Sequence, residues 1–406
     1  MSKGKDHKPH IGIYGRRNVG KSSFINALTG VEAAIVSEIA GTTTDPVKKS
    51  IEIFGIGPAI LIDTAGIDDS GELGEKRIEK TLASITHIDA AILLISNNTF
   101  GAFEHQLIKK FDHYEIDYLI VHNKEDLEEL SEETSMQIKS FTNSPVEVCS
   151  AVKSINIAEV IALLKITIPQ TSYQKSTLLG DIIRKNDIVM LITPIDSEAP
   201  DGRMILPQAM AIRDVLDNHA VSIVLKETEV ETFFKKTNLK PDLVITDSQA
   251  FKFVAKIIPR EIPLTGFSVI YAHMRGPFEE YINGVKKLSA LENGDRILIL
   301  ESCTHQVSCE DIGRFKIPNW IRKYSGKELE FDVAAGLSEI KKPITAYQLV
   351  IQCGGCMITK KQLINRLKPA LDAHIPVTNY GLAIAYMNGI LDRAIEPFIP
   401  KKQIVV

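Results

Sequence analysis

The sequence lacks the features that mark membrane and secreted proteins. Its most apolar stretches, such as residues 90–96, have the length of a β-strand and are far too short to cross a bilayer. The charged start of the chain runs directly into the apolar Ile11–Tyr14, without the hydrophobic core of a signal peptide. These absences predict a cytoplasmic protein that has no membrane partner.

The chain also has no large excess of charge of one sign. It has 51 Asp and Glu residues against 47 Lys and Arg residues, a net charge of -4 and a pI near 6.2. Domains that bind nucleic acid tightly usually carry a basic surface. No basic stretch interleaved with aromatic residues occurs here, so we expect no nucleic-acid partner.

Cysteine is scarce but unevenly placed. The chain has five cysteines, and four of them lie after residue 302. In a reducing compartment, such clustering indicates metal or redox chemistry more than structural disulfides. The fifth, Cys149, follows an apolar run, and we expect it to be a small buried side chain.

Short apolar runs alternate with amphipathic stretches along the whole chain, which predicts an α/β fold. A length of 406 residues suits two or three domains. We predict a first domain at residues 1–170 with a doubly wound sheet, a small middle domain at 171–262 and a third domain at 263–406. The polar stretch Pro169–Gly180 is predicted to be a linker. The middle domain lacks a glycine-rich turn, a cysteine and any catalytic cluster, so we expect it to form the interface of a homodimer.

The predicted elements can be placed along the chain. Strands of the first domain are predicted at Ile11–Tyr14, Ala59–Ile62, Ala90–Ile95, Tyr118–Val121 and Val146–Val148. In the middle domain, strands are predicted within residues 187–194, 220–226 and 241–247, and helices near Leu206–Asp217, Glu229–Lys236 and Ser248–Lys256. In the third domain, strands are predicted at residues 296–301 and 347–352, and helices near Lys360–Leu371 and Gly381–Arg393.

A phosphate-binding loop is predicted between the first strand and the first helix. The residues "GRRNVGKS" (Gly15–Ser22) fit the pattern G-x-x-x-x-G-K-[ST] in the strand–loop–helix context that the pattern requires. Backbone N–H groups of such a loop face phosphate oxygens. Lys21 would reach the β- and γ-phosphates, and the Ser22 hydroxyl would ligate Mg²⁺. The predicted nucleotide-binding residues here are Gly15, Arg16, Arg17, Asn18, Val19, Gly20, Lys21, Ser22 and Ser23.

Three further motifs follow in the order expected of a guanine-nucleotide site. In "DTAG", Asp63 can hold the water shell of Mg²⁺ and the Gly66 N–H can sense the γ-phosphate. In "NKED" (Asn123, Lys124, Asp126), the Asp126 carboxylate can accept two hydrogen bonds from guanine, whose donor pair adenine lacks. Backbone N–H groups at Ser150 and Ala151 would then contact the guanine O6. Together the four motifs predict GTP, GDP and Mg²⁺ as ligands.

On these motifs, the first 170 residues resemble the TrmE–Era–EngA group of translation-factor-like GTPases. Residues "AGTTTDP" (40–46) stand where that group has its "GTTRD" switch, so the resemblance implies that Thr43 ligates Mg²⁺ and that Lys21, Thr43 and Gly66 serve GTP hydrolysis. Ile67 stands where Ras-like enzymes have the glutamine that orients water. In this group, an asparagine at the position of Asn18 often accompanies K⁺ beside the phosphates. We therefore expect slow intrinsic hydrolysis that K⁺ stimulates.

The late cysteines allow three interpretations. Cys303 and Cys353 each follow a predicted strand, and "CGGC" adds Cys356; ligands bind at the carboxyl ends of the strands in open α/β sheets. Cys303, His305, Cys353 and Cys356 could form a structural zinc site. Cys353 and Cys356 could form a redox dithiol. Alternatively, three thiolates could hold a 4Fe–4S cluster and leave one iron open. The spacing alone does not choose between them.

The whole chain resembles the HydF family, the scaffold GTPases that mature FeFe-hydrogenase. The resemblance rests on "CTH" (303–305) and "CGGC" (353–356), which follow a GTPase and a featureless α/β middle domain. It implies that Cys303, Cys353 and Cys356 hold a 4Fe–4S cluster, with His305 as a candidate fourth ligand. It also implies that the chain assembles a di-iron precursor made by two radical-SAM maturases and delivers it to the apo-hydrogenase.

One position departs from the family pattern. Gln352 stands where the family usually has a histidine, and a neutral amide is a poor iron ligand. This leaves His305, a carboxylate such as Glu310, water or an exogenous group for the fourth iron, with Cys309 outside the ligand set. An alternative from another class is an RNA-modification or ribosome-assembly GTPase with a structural zinc site.

Overall fold

A computed structural model describes residues 8–31, 33–39, 47–53, 57–64, 80–172, 177–194, 204–248, 250–302, 312–355 and 358–399. The chain divides into two compact units. The first unit comprises Met1–Lys175 and Thr359–Arg366, and the second comprises Ser176–Ile358 and Leu367–Val406. Among the described residues, no helix is long and apolar enough to cross a membrane.

The first unit is built on a seven-stranded sheet with the order β2-β3-β4-β1-β5-β6-β7. Its strands are β1 (His10–Tyr14), β2 (Ala33–Ile39), β3 (Val47–Ile53), β4 (Gly57–Asp63), β5 (Ala90–Ile95), β6 (Asp117–Asn123) and β7 (Val146–Cys149). Its helices are α1 (Lys21–Val31), α2 (Ala102–His113), α3 (Glu132–Phe141) and α4 (Ile157–Thr167). All five predicted strands are confirmed. The antiparallel β2 and β3 were not predicted.

Helices cover both faces of this sheet, as a doubly wound fold requires. On one face, Phe24 and Leu28 of α1 are buried in one core with Val160 and Leu164 of α4. On the other face, residues of α2 and α3, such as Phe111 and Ile138, are buried in a second core. The strands that carry the nucleotide motifs belong to the parallel part of the sheet, which has the order β4-β1-β5-β6-β7. Their carboxyl ends therefore meet at one edge of the sheet.

A separate stretch of the chain completes the first unit. Thr359 Oγ1 donates a hydrogen bond of 2.7 Å to Oδ1 of Asp89, whose side chain is fully buried. Asp89 also accepts a 2.8 Å hydrogen bond from the His10 backbone N–H. Gln362 Nε2 donates to the His87 carbonyl at 2.7 Å. Residues at the start of a helix in the third predicted domain thus form hydrogen bonds with His87 and Asp89 of the first predicted domain.

The second unit contains two four-stranded parallel sheets, with the orders β11-β10-β8-β9 and β13-β12-β14-β15. Their strands are β8 (Ile188–Ile192), β9 (Val221–Leu225), β10 (Leu243–Thr246), β11 (Leu264–Gly266), β12 (Arg296–Leu300), β13 (Glu330–Ala334), β14 (Leu349–Gln352) and β15 (Val377–Asn379). Its helices are α5 (Leu206–Asp217), α6 (Val230–Lys236), α7 (Phe251–Ile257), α8 (Phe267–Arg275), α9 (Phe278–Gly284), α10 (Ile317–Ser325), α11 (Lys360–Asp372), α12 (Tyr380–Met387) and α13 (Leu391–Ile395). The first turns of α11 belong to the first unit.

Two sequence predictions need correction in the second unit. The predicted linker Pro169–Gly180 is not a linker throughout, because Leu178 and Leu179 are buried in the core of the second unit. The predicted helix Gly381–Arg393 is two helices, α12 and α13, since Gly389 between them has a φ of 69°.

Strand β11 pairs with β10 although it lies beyond residue 262, the predicted end of the middle domain. The domain boundaries at 170 and 262 remain predictions.

Candidate functional site

The phosphate-binding loop joins β1 to α1. Asn18 and Gly20 have φ values of 62° and 94°, which curl the backbone before the helix begins at Lys21. A Cβ atom at Gly20 would lie 2.5 Å from Nδ2 of Asn123, so only glycine fits there. Lys21 Nζ donates hydrogen bonds of 2.7 Å to the carbonyls of Gly15 and Arg16, which holds the ammonium over the loop. Ser22 and Ser23 are exposed in the first turn of α1.

Asn123, at the end of β6, connects the phosphate-binding loop to the segment that contains Ala151. Its Nδ2 donates to the Val19 carbonyl at 2.8 Å. Its Oδ1 accepts from the Ala151 backbone N–H at 3.0 Å. Two of the predicted nucleotide-binding segments are therefore connected by one buried side chain. This geometry gives Asn123 a positioning task that the motif alone does not reveal.

Asp126 lies just beyond β6, beside Ser150 and Lys153. A hydrogen bond from the Ser150 side chain, aided by Lys153, holds the pKa of Asp126 below its usual value. Lys153 Nζ lies 3.6 Å from Asp126 Oδ2. The carboxylate therefore stays ionised at neutral pH, which is the form that accepts two hydrogen bonds from guanine. Lys124, in the same turn, has a left-handed backbone with a φ of 68°.

Asp63 ends β4, the neighbour of β1 in the sheet. Burial raises its pKa, and the positive charges of Lys21 and Lys49 oppose that rise. Its Oδ1 atom is buried and has no hydrogen-bond partner among the described residues. An orphaned carboxylate oxygen near the Lys21 charge suits a hydrated Mg²⁺, whose charge would favour the ionised carboxylate.

Arg16 is held by a residue that the sequence analysis missed. Its Nε and Nη2 donate to Oε1 and Oε2 of Glu104 on α2, at 2.8 and 2.9 Å. Glu104 is 1% exposed and also accepts from the Gly101 backbone N–H at 2.9 Å. The pair connects the phosphate-binding loop to α2. No local sequence pattern marks Glu104 as this partner, because it lies 88 positions from Arg16.

Two predicted catalytic residues, Thr43 and Gly66, lie outside the described residues, as does Ile67. Gly15, Arg17 and Val19 lie in the loop, and Ser150 lies directly after β7.

Cys149 is fully buried, as expected, and burial raises the pKa of its thiol to about 12. This thiol is therefore protonated and unreactive at neutral pH.

The cysteine segments leave neighbouring parallel strands. Strand β12 pairs with β14 so that Leu300 is opposite Gln352, and the Cys353 N–H donates to the Leu300 carbonyl at 2.9 Å. Ser302, which precedes Cys303 in the sequence, lies at the same sheet edge as Cys353. Cys303, His305, Cys309, Glu310 and Cys356 lie outside the described residues. Within the described part of the chain, no group of three His, Cys, Asp or Glu side chains is placed to hold a metal ion.

The sulfur of Cys353 accepts several hydrogen bonds. The Ser302 backbone N–H and hydroxyl lie 3.0 and 2.9 Å from Sγ, and Gln352 Nε2 lies 3.6 Å from it. Gly354 and Gly355 follow without side chains, and Gly355 has a φ of 72°. Such donors around a sulfur are typical of metal-bound and cluster-bound thiolates.

Three family models match successive parts of the chain. A model described as the hydrogen maturase F dimerization domain matches residues 178–276, and the hydrogen maturase F tetramerization domain matches residues 279–397. The two matches together span more than half of the chain. The chain belongs to the hydrogen maturase F family. A third model, described as a 50S ribosome-binding GTPase, matches residues 10–124 and identifies a GTP-hydrolysing domain ahead of the two family domains.

The curated relatives match less than half of the chain. The tRNA modification GTPase MnmE of Nitrosomonas europaea is 35% identical over 170 residues, which is 42% of this chain and 36% of the relative. GTPase Der of Wolinella succinogenes is 34% identical over 150 residues, 35% of this chain and 32% of the relative. The chain thus spans about a third of the length of these relatives.

Solved structures give weaker likenesses. Aquifex aeolicus Era bound to GDP.AlF4- matches with a TM-score of 0.33 and 17% identity, over 54% of this chain and 93% of that one. The G domain of the T. maritima FeoB iron transporter matches with a TM-score of 0.32 and 20% identity, over 40% of this chain and all of that one. Scores of this size carry no weight for function. The chain belongs to the hydrogen maturase F family and has a GTPase domain ahead of that family's dimerization and tetramerization domains.

Proposed function

We propose that this family member binds one 4Fe–4S cluster and acts as the scaffold that assembles and delivers the di-iron precursor of the FeFe-hydrogenase active site. Cys303, Cys353 and Cys356 would hold the cluster, and the fourth iron would take an exchangeable ligand or His305. When bound, the cluster would supply an iron with an open coordination position. GTP hydrolysis, stimulated by K⁺ beside Asn18, would act as a switch.

The observation that carries this proposal is the pairing of β12 with β14. It brings Ser302, the residue before Cys303, beside Cys353, although the two are far apart in sequence. The donor chemistry there fits a cluster, since Cys353 Sγ accepts from an N–H group and lies beside a hydroxyl. The side-chain-free Gly354 and Gly355 leave room for a bulky inorganic group.

The resemblance to HydF supplies the expected partners, which are two radical-SAM maturases and the apo-hydrogenase. Oligomerisation is supported by the two matched domains, which are described as dimerization and tetramerization domains. We propose a homodimer through the middle domain as the basic assembly. Similarity to the tRNA modification GTPase is confined to less than half of this chain, so an RNA substrate has less support.

A pair of cysteine variants tests the proposal. Cys353→Ala should lose most of its iron and fail to activate the apo-hydrogenase in a maturation assay with both maturases. It should still hydrolyse GTP, because every predicted nucleotide ligand lies before residue 152. Cys149→Ala is the matched control and should keep the iron, because that thiol is buried and protonated. Full maturation by Cys353→Ala would refute the proposal.

A further inference from the structure

The two residues beside Cys353 form a buried hydrogen-bond network around its sulfur. Ser302 is 4% exposed and Gln352 is fully buried. Gln352 Nε2 lies 3.3 Å from Ser302 Oγ and 3.1 Å from the Cys353 carbonyl, and donates to both. The same nitrogen lies 3.6 Å from Cys353 Sγ. The Gln352 side chain is thus turned toward Ser302 and Cys353.

The network has a direction. A cluster-bound Cys353 is a thiolate, whose sulfur can only accept. In that state the Ser302 hydroxyl donates across the 2.9 Å contact to Cys353 Sγ, while its oxygen accepts from Gln352 Nε2. The Ser302 backbone N–H donates to the same sulfur at 3.0 Å. Hydrogen bonds in a chain polarise one another, so Gln352 strengthens the bond from the hydroxyl to the sulfur.

The backbone holds this network in place. The pairing of β12 with β14 and the hydrogen bond from the Cys353 N–H to the Leu300 carbonyl, at 2.9 Å, fix the two strand ends beside each other. The backbone therefore holds the Ser302 N–H and hydroxyl close to the Cys353 sulfur. A rigid donor close to a ligand sulfur is the arrangement by which proteins tune clusters.

We infer that Ser302 and Gln352 are positioning residues that set the reduction potential of the cluster through the Cys353 sulfur. Gln352 acts as a hydrogen-bond donor and not as an iron ligand, although it stands where the family usually has histidine. The inference rests on the proposed function. Hydrogen bonds withdraw electron density from a ligand sulfur, which stabilises the reduced cluster and raises its potential.

The test is a potentiometric titration of the reconstituted full-length protein, followed by EPR of the reduced cluster. Ser302→Ala and Gln352→Met should each keep iron and sulfide and shift the midpoint potential to a more negative value. Ser302→Thr keeps the hydroxyl and should restore the potential. Ser338→Ala is the control, because the Ser338 hydroxyl donates to the Ala335 carbonyl in the same unit and makes no bond to the sulfur.

The combined variant gives a second readout. Since Gln352 acts largely through the Ser302 hydroxyl, the shift in Ser302→Ala/Gln352→Met should be smaller than the sum of the two single shifts. If Ser302→Ala does not hold the cluster, the shift in Gln352→Met decides.

Three results would contradict the inference. Wild-type potentials in both single variants, with the iron retained, would overturn it and leave the proposed function standing. An EPR spectrum that responds to added imidazole in Gln352→Met, but not in wild type, would identify Gln352 as an iron ligand and overturn it too. A wild-type protein that takes up no iron and sulfide would overturn both the inference and the proposed function.

Discussion

At the scale of single residues, we predict that Asp126 selects guanine as the base of the bound nucleotide. Its pKa is lowered by Ser150 and Lys153, so its carboxylate is ionised and ready to accept two hydrogen bonds. Asp126→Asn keeps one acceptor oxygen and loses the other, so it should weaken GTP binding by about 10- to 100-fold, the effect of one lost hydrogen bond to a charged group. The variant should also favour xanthosine triphosphate. Competition binding of GTP, ATP and xanthosine triphosphate measures both effects, and an unchanged preference for GTP over ATP would refute the guanine assignment.

Asn18 gives a second prediction at this scale. It is exposed and holds a left-handed backbone in the middle of the phosphate-binding loop. With Ile67 in place of the glutamine of Ras-like enzymes, we expect a monovalent cation to supply part of the charge stabilisation. GTP hydrolysis should be faster in KCl than in NaCl at matched ionic strength, and Asn18→Ala should remove the difference. Equal rates of the wild-type enzyme in the two salts would reject the K⁺ site.

At the scale of elements, the Arg16–Glu104 pair joins the phosphate-binding loop to α2. Its two members differ in exposure, with side chains 29% and 1% exposed respectively. Arg16→Ala would leave a buried carboxylate without its counter-ion, whereas Glu104→Ala would leave an arginine that water can reach. Arg16→Ala should therefore destabilise the first unit by about 3 kcal/mol, and Glu104→Ala by less.

The measurement for this pair is thermal unfolding of the full-length protein, using the transition that GTP shifts upward. GTP affinity is measured on the same samples. If Arg16→Ala weakens GTP binding strongly and leaves stability unchanged, then Arg16 serves the phosphates directly and not the connection to α2.

Strand β9 is the element that suits a dimer interface. It lies at the edge of the sheet in the domain that matches the family's dimerization domain, and Val221 and Val224 on it are 51% and 42% exposed. Exposed apolar edge strands pair readily with other strands, and a lysine blocks such pairing. Val224→Lys should shift the protein to a smaller species in analytical ultracentrifugation. Leu127→Lys, at a 75% exposed position in the first unit, is the control. An unchanged oligomer in Val224→Lys would place the interface elsewhere.

At the scale of the whole molecule, the first unit depends on a late stretch of the chain. Thr359 Oγ1 donates to the fully buried Asp89, and removing this donor is expected to cost about 1–3 kcal/mol because a buried acceptor would lose a hydrogen-bond partner. Thr359→Val should lower the GTP-sensitive unfolding transition of the full-length protein. Thr167→Val should leave it nearly unchanged, since the Thr167 hydroxyl only bonds the Leu163 carbonyl within α4. Equal transitions in the two variants would show that the bond to Asp89 contributes nothing.

Much of this architecture could be predicted from sequence, for local reasons. Strands β1, β4, β5 and β6 are apolar runs that are mostly buried, and such runs stand out in any sequence. The phosphate-binding loop was predictable because the positive φ of Gly20 and the helix that starts at Lys21 leave a fixed pattern of residues. Strand β14 and the helix after "CGGC" were predictable in the same way.

The parts that could not be predicted depend on contacts between distant residues. The partners of Arg16 and Asp89 are separated from them by 88 and 270 positions, and no local pattern announces either. The burial of Leu178 and Leu179 in the core of the second unit could not be predicted either, because two leucines in a polar stretch give no periodicity. The sequence indicates only that Gln352 is a poor iron ligand, because its bonds to Ser302 depend on the pairing of β12 with β14.

The central claim is that this GTPase carries an iron–sulfur cluster on its late cysteines. The most direct test is the metal and sulfide content of the full-length wild-type protein after anaerobic reconstitution with iron and sulfide. We predict about four iron atoms and about four acid-labile sulfides per chain, the composition of one 4Fe–4S cluster. A colourless protein with about one zinc per chain and no labile sulfide would contradict the claim and favour a structural zinc site.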